Sequence, residues 1–476
     1  MTSTTNTSTT NTTTASTITS TTRPRTILII SPDYASHLLP LATLGTAWRD
    51  AGARVVVATG PATASIVEAF GFERVNLQLG RGSNPGVIRA EQQPTGEDDA
   101  LRGFFDATRH GLVATLAFQA SARKNDLMWQ PVETARAVQK VVDEVAADLV
   151  IVDHLAFSAR LALVAHGTPH TDVVLGHPSA LPLGDEVYGY PPAWPAAFSP
   201  DPDELRELRA LCESVSESFT REWNDALAEL NPGASPSTNA FGEHGDTLLL
   251  NYPAELHSAE RTALLPPHEF LGSAVRVEPV EPEIEEWIAA SDEPFVYVSF
   301  GSFLSVRGDV IARVLRGLND LSALLPGGLR VAVAIGSASR DELRELGELP
   351  ESWLVREFLP QVRLLDSAAA AVTHGGNNSV TESMTAGVPL LVLPFSTDQF
   401  AGAEAIERRG FGVSLDPNAA TVDQIRDALQ RVLSLPPEPR AALAELSASL
   451  KQTPGRTRAY RRLESTVDAA SHVPAP

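Results

Sequence analysis

The chain has 476 residues, 43% of them hydrophobic, which is long for one ordinary domain and enough for two real cores. With 37 basic against 59 acidic side chains its formal net charge is -22, so nucleic acid and anionic lipid surfaces are set aside as main partners. The lone cysteine, Cys212, rules out an intrachain disulfide and a cysteine-built metal site, and no apolar run reaches the roughly 18 to 20 residues of a membrane span.

In chain order, residues 1–24 come first and are dominated by Thr, Ser and Asn. They lack the basic start and apolar middle of a signal peptide and read as a disordered tail; with the single cysteine this suggests a cytoplasmic location. From Thr26 a strand (Thr26–Ser31), a loop carrying His37 and Pro40, a helix to about Ala51 and a strand (Arg54–Thr59) form a βαβ unit. Further strands are expected at Asp148–Asp153 and Thr171–Leu175, with a helix at Phe157–Ala165 between them. Gly80 to Asn125 and Pro178 to Phe198 read as long irregular connections rich in aromatics, and Thr247–Tyr252 as the last strand of the first half.

A Pro- and Glu-rich passage then separates a second alternating half, with strands at Phe295–Phe300, Arg330–Ile335, Trp353–Arg356, Ala369–Thr373 and Pro389–Leu393. The predicted class is α/β, two Rossmann-like, doubly wound parallel-sheet domains facing a central cleft. The predicted division is an N-terminal domain at 25–252, a linker at 253–290, a C-terminal domain at 291–455 and a helix at 456–476 that packs back on the first domain. Ligands of such sheets bind where the carboxyl ends of the strands face the cleft.

The chemistry concentrates between Phe358 and Gln399. An apolar strand ends at Thr373. His374, Gly375 and Gly376 make a tight turn, and a helix opens at Asn377, Asn378 and Ser379. Exposed N–H groups and the positive end of a helix dipole form an anion site that suits a diphosphate without any metal. Glu382, a turn further on, has the reach to hold ribose hydroxyls. Asp398 and Gln399, a carboxylate beside an amide, suit sugar hydroxyls that both donate and accept.

These residues resemble glycosyltransferase family 1, the UDP-glycosyltransferases of the GT-B fold, in its bacterial natural-product type. Phe358-Leu359-Pro360-Gln361, the run from His374 to Ser379, Glu382, Gly387-Val388-Pro389 and Asp398-Gln399 follow that family's donor signature in order. The run Val298 to Ser302 is similar to its first strand and phosphate turn in the second domain. The resemblance covers nearly the whole chain after the tail, is sharpest in the C-terminal half, and implies that the domain at 25–252 is acceptor-binding and the domain at 291–455 nucleotide-sugar-binding. It implies that Gly301, Ser302, His374, Gly376, Asn377, Asn378 and Ser379 surround the diphosphate, Glu382 the ribose, and Asp398 and Gln399 the transferred sugar. Phe358 stands where plant members carry the tryptophan that stacks on uracil, and Gln361 follows in the family's place.

Ser36-His37-Leu38-Leu39-Pro40 resembles the family's Gly-His-x-x-Pro turn, which makes His37 the catalytic base and Asp153, in the family's aspartate position, its partner. A neutral imidazole near its reference pKa suits removal of a hydroxyl proton at neutral pH. For Asp153 the competing role is the N-cap of the next helix, and for His37 a structural place before its own. Phe105, Tyr188, Tyr190 and Trp194 are candidates to line an apolar acceptor pocket, with core packing as the alternative.

The resemblance implies an inverting, metal-independent glycosyltransferase. It would carry a sugar, first choice glucose from UDP-glucose with a thymidine diphosphate sugar as the other possibility, to a hydroxyl of a hydrophobic small molecule such as a macrolide, polyketide or phenol. No cofactor beyond the nucleotide-sugar co-substrate is expected, and the chain would act as a monomer or homodimer. The alternatives are an auxiliary protein of a partner transferase, which should have lost the donor residues, and an epimerase of similar fold.

Overall fold

Every residue of the first strand, β1 (Thr26–Ile30), is buried. Leu28 and Ile30 pack into one apolar cluster and Ile27 and Ile29 into another on the opposite face. That is the fate of a continuous apolar run in a parallel sheet covered by helices on both sides. The computed structural model describes residues 24–86, 92–93, 96–123, 127–336 and 349–471, so nearly all of the predicted tail at 1–24 lies outside the described residues. In the first domain β1 is followed by β2 (Arg54–Thr59), β3 (Glu73–Asn76), β4 (Leu149–Asp153), β5 (Thr171–Val174), β6 (Thr247–Leu250) and β7 (His268–Phe270), in sheet order 3-2-1-4-5-6-7. The second domain holds β8 (Phe295–Ser299), β9 (Arg330–Ala334), β10 (Leu354–Arg356), β11 (Ala370–Thr373), β12 (Leu390–Val392) and β13 (Gly412–Ser414), in order 10-9-8-11-12-13. β8 repeats the logic of β1: Val296 and Val298 enter one cluster, Phe295 and Tyr297 the other.

Three expectations change. The first sheet ends at β7, inside the stretch read as linker, because β7 pairs in parallel with β6. The segment read as irregular between Gly80 and Asn125 contains two helices, Glu97–Ala107 and Leu112–Arg123. Finally, Ser36, His37 and Pro40 are not in a loop but in the opening turns of the helix Ala35–Asp50.

The two domains are tied at several points. Arg307 of the second domain is buried and donates from Nη1 to the Thr108 carbonyl at 2.9 Å, while Asn418 Nδ2 donates to the same oxygen at 3.0 Å. Thr108 joins the two helices just named, so this clasp fixes them over the cleft. The final helix, Gly455–Ser471, returns to the first domain: Tyr460 packs on Trp48, and the Trp48 indole N–H donates to Glu464 at 3.0 Å. No helix among the described residues is long and apolar enough to cross a membrane.

Candidate active site

The strand ends of both sheets converge on a cavity of about 1060 Å³ between the domains. On the first-domain side, the loop after β1 is pinned by Asp33, whose carboxylate accepts from the backbone N–H groups of Ala62 and Thr63 at 3.0 and 2.9 Å. The pinned loop feeds the helix Ala35–Asp50 and places His37 on the cavity wall. His37 Nδ1 lies 2.6 Å from Asp153 Oδ2, at the end of β4. Asp153 is fully buried, and its Oδ1 accepts the Leu155 N–H at 2.8 Å. It therefore does not cap the helix Phe157–Ala165, whose N-cap position is Ala156.

Burial alone would lower the His37 pKa. The charge and hydrogen bond of Asp153, with the charge of Asp398, outweigh it and hold the imidazole above its usual value. With Nδ1–H committed to Asp153, Nε2 is the nitrogen left to take a proton. The neighbouring His154 turns the other way, to Asp172 at 3.0 Å, in a fully buried network with Arg160.

On the second-domain side, eleven of the twelve residues expected to hold the donor line the cavity, Glu382 being the one that does not. Gly301 and Gly376 clasp the His374 ring: a Cβ on either would come within 2.8 and 2.4 Å of imidazole atoms. Burial pushes the His374 pKa down to about 4, so the ring is neutral at pH 7 and serves as a hydrogen-bond donor rather than a charge. The helix Asn377–Ala386 starts beside it, with Ser379 in its first turn. Phe358 is 65% exposed at the mouth, its face open for stacking.

Several predicted contacts are already engaged across the cleft. Pro40 has no N–H to bond the Ser36 carbonyl four residues back, and that carbonyl accepts instead from Asn378 Nδ2 at 2.9 Å. Asn377 Nδ2 donates to the carbonyls of Leu175 and Asn251 at 2.7 and 2.9 Å, so its amide joins the domains. Ser302 Oγ accepts from Asn84 Nδ2 at 3.1 Å, and Asp398 Oδ2 accepts the His177 N–H at 2.7 Å. Gln399 turns its amide inward, where Oε1 accepts from the Phe395 and Ser396 N–H groups.

Glu382 is the exception on the donor side. It is buried behind the wall, with Oε1 on Arg276 Nη1 at 2.7 Å and Oε2 on Gln361 Nε2 at 2.6 Å. Burial raises its pKa and the Arg276 charge opposes that, with the net result still above the usual carboxylate range. An ionised carboxylate has about four acceptor directions, so two remain.

Of the acceptor candidates, Tyr190 lines the cavity; Tyr188 does so while stacking its face on Phe241 at 3.8 Å. Phe105 and Trp194 are not on the wall. Phe104 takes the place predicted for Phe105, because the segment is a helix and adjacent residues point about 100° apart. Trp194 packs among the apolar side chains around Cys212.

Sequence reading missed Arg123 and Arg276, both on the wall, and Asn84, which bonds to Ser302 there. None sits in a recognisable motif, and Arg276 comes from the stretch read as linker. Thr397, next to Asp398, has a left-handed backbone (φ 47°), a strained conformation for a β-branched residue and one that gives no sequence signal.

Residues 318–465 match the family model described as the C-terminal domain of erythromycin biosynthesis protein CIII-like proteins. The chain is 25% identical over 272 residues to the UDP-glucosyltransferase YojK of Bacillus subtilis (strain 168), a match covering 52% of this chain. It spans 65% of that relative's length. The solved structure of the calicheamicin glycosyltransferase CalG4 superposes with a TM-score of 0.65 at 20% identity, over 95% of this chain and 100% of that one. That of the glycosyltransferase VinC in complex with DTDP gives 0.61 at 20% identity, over 93% and 100%. The shared architecture is the GT-B fold.

Proposed function

We propose that this GT-B protein, whose C-terminal domain belongs to the erythromycin biosynthesis CIII-like family, moves a sugar from a nucleoside diphosphate donor to a hydroxyl of a hydrophobic small molecule, with inversion and without a metal. The observation that carries the reading is the meeting, in one cavity, of the His37–Asp153 pair with the turn and helix start at His374–Ser379. His37 Nε2 takes the proton of the acceptor hydroxyl as its oxygen attacks the anomeric carbon from the face opposite the leaving group. The new C–O bond forms as the bond to the diphosphate breaks, and the electron pair leaves on the phosphate oxygen. Asp153 stabilises the imidazolium. The helix N–H groups and neutral His374 meet the charge that develops on the departing diphosphate, which is electrostatic stabilisation by groups already in place.

UDP-glucose is the first choice of donor. A thymidine diphosphate sugar is a second reading, favoured by the engagement of Glu382 with Arg276 and Gln361: a deoxyribose offers that carboxylate one hydroxyl fewer to hold. The test is mass spectrometry of products from a panel of phenolic and macrolide acceptors with each donor, and NMR of the anomeric proton. A β-glucoside made by the wild type and not by His37→Ala supports the reading; product made equally by both removes His37 from the chemistry.

A further inference from the structure

The cavity has a third polar feature that neither the His37–Asp153 pair nor the phosphate cradle uses. Gln119 and Arg123 lie four residues apart at the end of the helix Leu112–Arg123, hence on one face, and both line the cavity. The wall around them is apolar and aromatic, formed by Phe104, Phe118, Tyr188 and Tyr190. Gln119 Oε1 is buried with no hydrogen-bond partner.

The Arg123 guanidinium lies over the Tyr188 ring, 5.2 Å from its centroid, and against Gly189, where a Cβ would come within 3.2 Å of Nη1. Arg123 forms no salt bridge or hydrogen bond among the described residues. The other arginine on the wall, Arg276, is held by Glu382 and Glu278. In a chain of net charge -22, an arginine with no carboxylate partner among the described residues and facing a cavity is a place for an anion from outside. The contact with the Tyr188 ring is made by the charge and leaves the N–H donors without a hydrogen-bond partner among the described residues.

We propose that the acceptor is a hydrophobic molecule carrying a carboxylate, which Arg123 binds. The inference rests on the reading of this half of the cleft as the acceptor chamber. It predicts that a neutral ester of an acceptor is a poorer ligand than the free acid, although the protein as a whole repels anions.

Two fluorescent probes of matched shape test it on the full chain without donor: anionic 8-anilinonaphthalene-1-sulfonate, whose sulfonate stands in for the carboxylate, and neutral N-phenyl-1-naphthylamine. The wild type should bind the anion at one site at least about tenfold more tightly than the neutral dye, the worth of one charge-assisted hydrogen bond. Arg123→Met and Arg123→Gln should remove that preference and leave the neutral dye's affinity unchanged, while Arg123→Lys keeps most of it; melting temperatures identify any variant that has lost its fold. Equal affinities in the wild type, or a loss shared by both dyes, would overturn the proposal. Because no donor is present, a chain that makes glycosides yet fails this test keeps its proposed function and loses only the carboxylate site.

Discussion

His37 works only while Nε2 is unprotonated, and its pKa is raised by Asp153 and Asp398 beyond what burial takes away. Turnover should therefore fall as pH drops through that raised value. Asp153→Asn removes the charge, so the acid limb of the kcat profile should move to lower pH while kcat falls about 10² to 10⁴-fold; an unmoved limb would mean that Asp153 does not set the imidazole's protonation. Arg276 poses a second residue-scale question. Arg276→Gln leaves Glu382 and Glu278 without their shared cation, which pushes the Glu382 pKa further up. Donor affinity should then rise with pH in the variant and stay flat in the wild type; flat profiles in both would argue against a role for the Glu382 carboxylate. His37, Asp153 and His374 were legible in the sequence because their chemistry and position recur. Arg276 was not, since a salt bridge between a connecting segment and a helix over a hundred residues later leaves no local pattern.

At the scale of elements, Pro40 lies inside the helix Ala35–Asp50 and frees the Ser36 carbonyl for Asn378 across the cleft. Pro40→Ala restores an N–H that competes for that carbonyl. The variant should be more stable by about 1 to 3 kcal/mol, from helix propensity, and yet show a several-fold lower kcat/KM. A melting temperature raised with kcat/KM unchanged would separate the proline from the site. The central strands were readable because β1, β2, β4, β8 and β11 are short unbroken apolar runs. β3, β7 and β13 were missed: Glu73–Asn76 and His268–Phe270 are polar edge strands, and Gly412–Ser414 has three residues. The helices Glu97–Ala107 and Leu112–Arg123 escaped because they stand in the glycine-punctuated stretch from Gly80, whose composition reads as irregular.

For the whole molecule, acid is the expected weakness. Burial lowers the pKa of His154, His177, His257 and His374, with nearby arginines adding to it for the first three, and leaves His257 and His374 at about 4. Such groups take up protons only on unfolding, so stability is lost as pH falls from about 6.5. His37 has the opposite sign and is outnumbered. The melting temperature should drop between pH 7 and pH 5, and a constant value would mean that these rings titrate freely in the folded state. The two-domain plan was visible in the sequence as two alternating halves. The ties between them, Arg307 to Thr108 and Asn377 to Leu175 and Asn251, were not, because contacts between domains depend on how the finished surfaces meet.

A nucleoside diphosphate site that needs no metal, joined to a catalytic histidine, should show itself in calorimetric titration with UDP and, separately, thymidine diphosphate in the presence of a chelator. One-to-one binding of at least one of them is expected, weakened in Arg276→Gln. Binding of neither, by a folded protein, would contradict it.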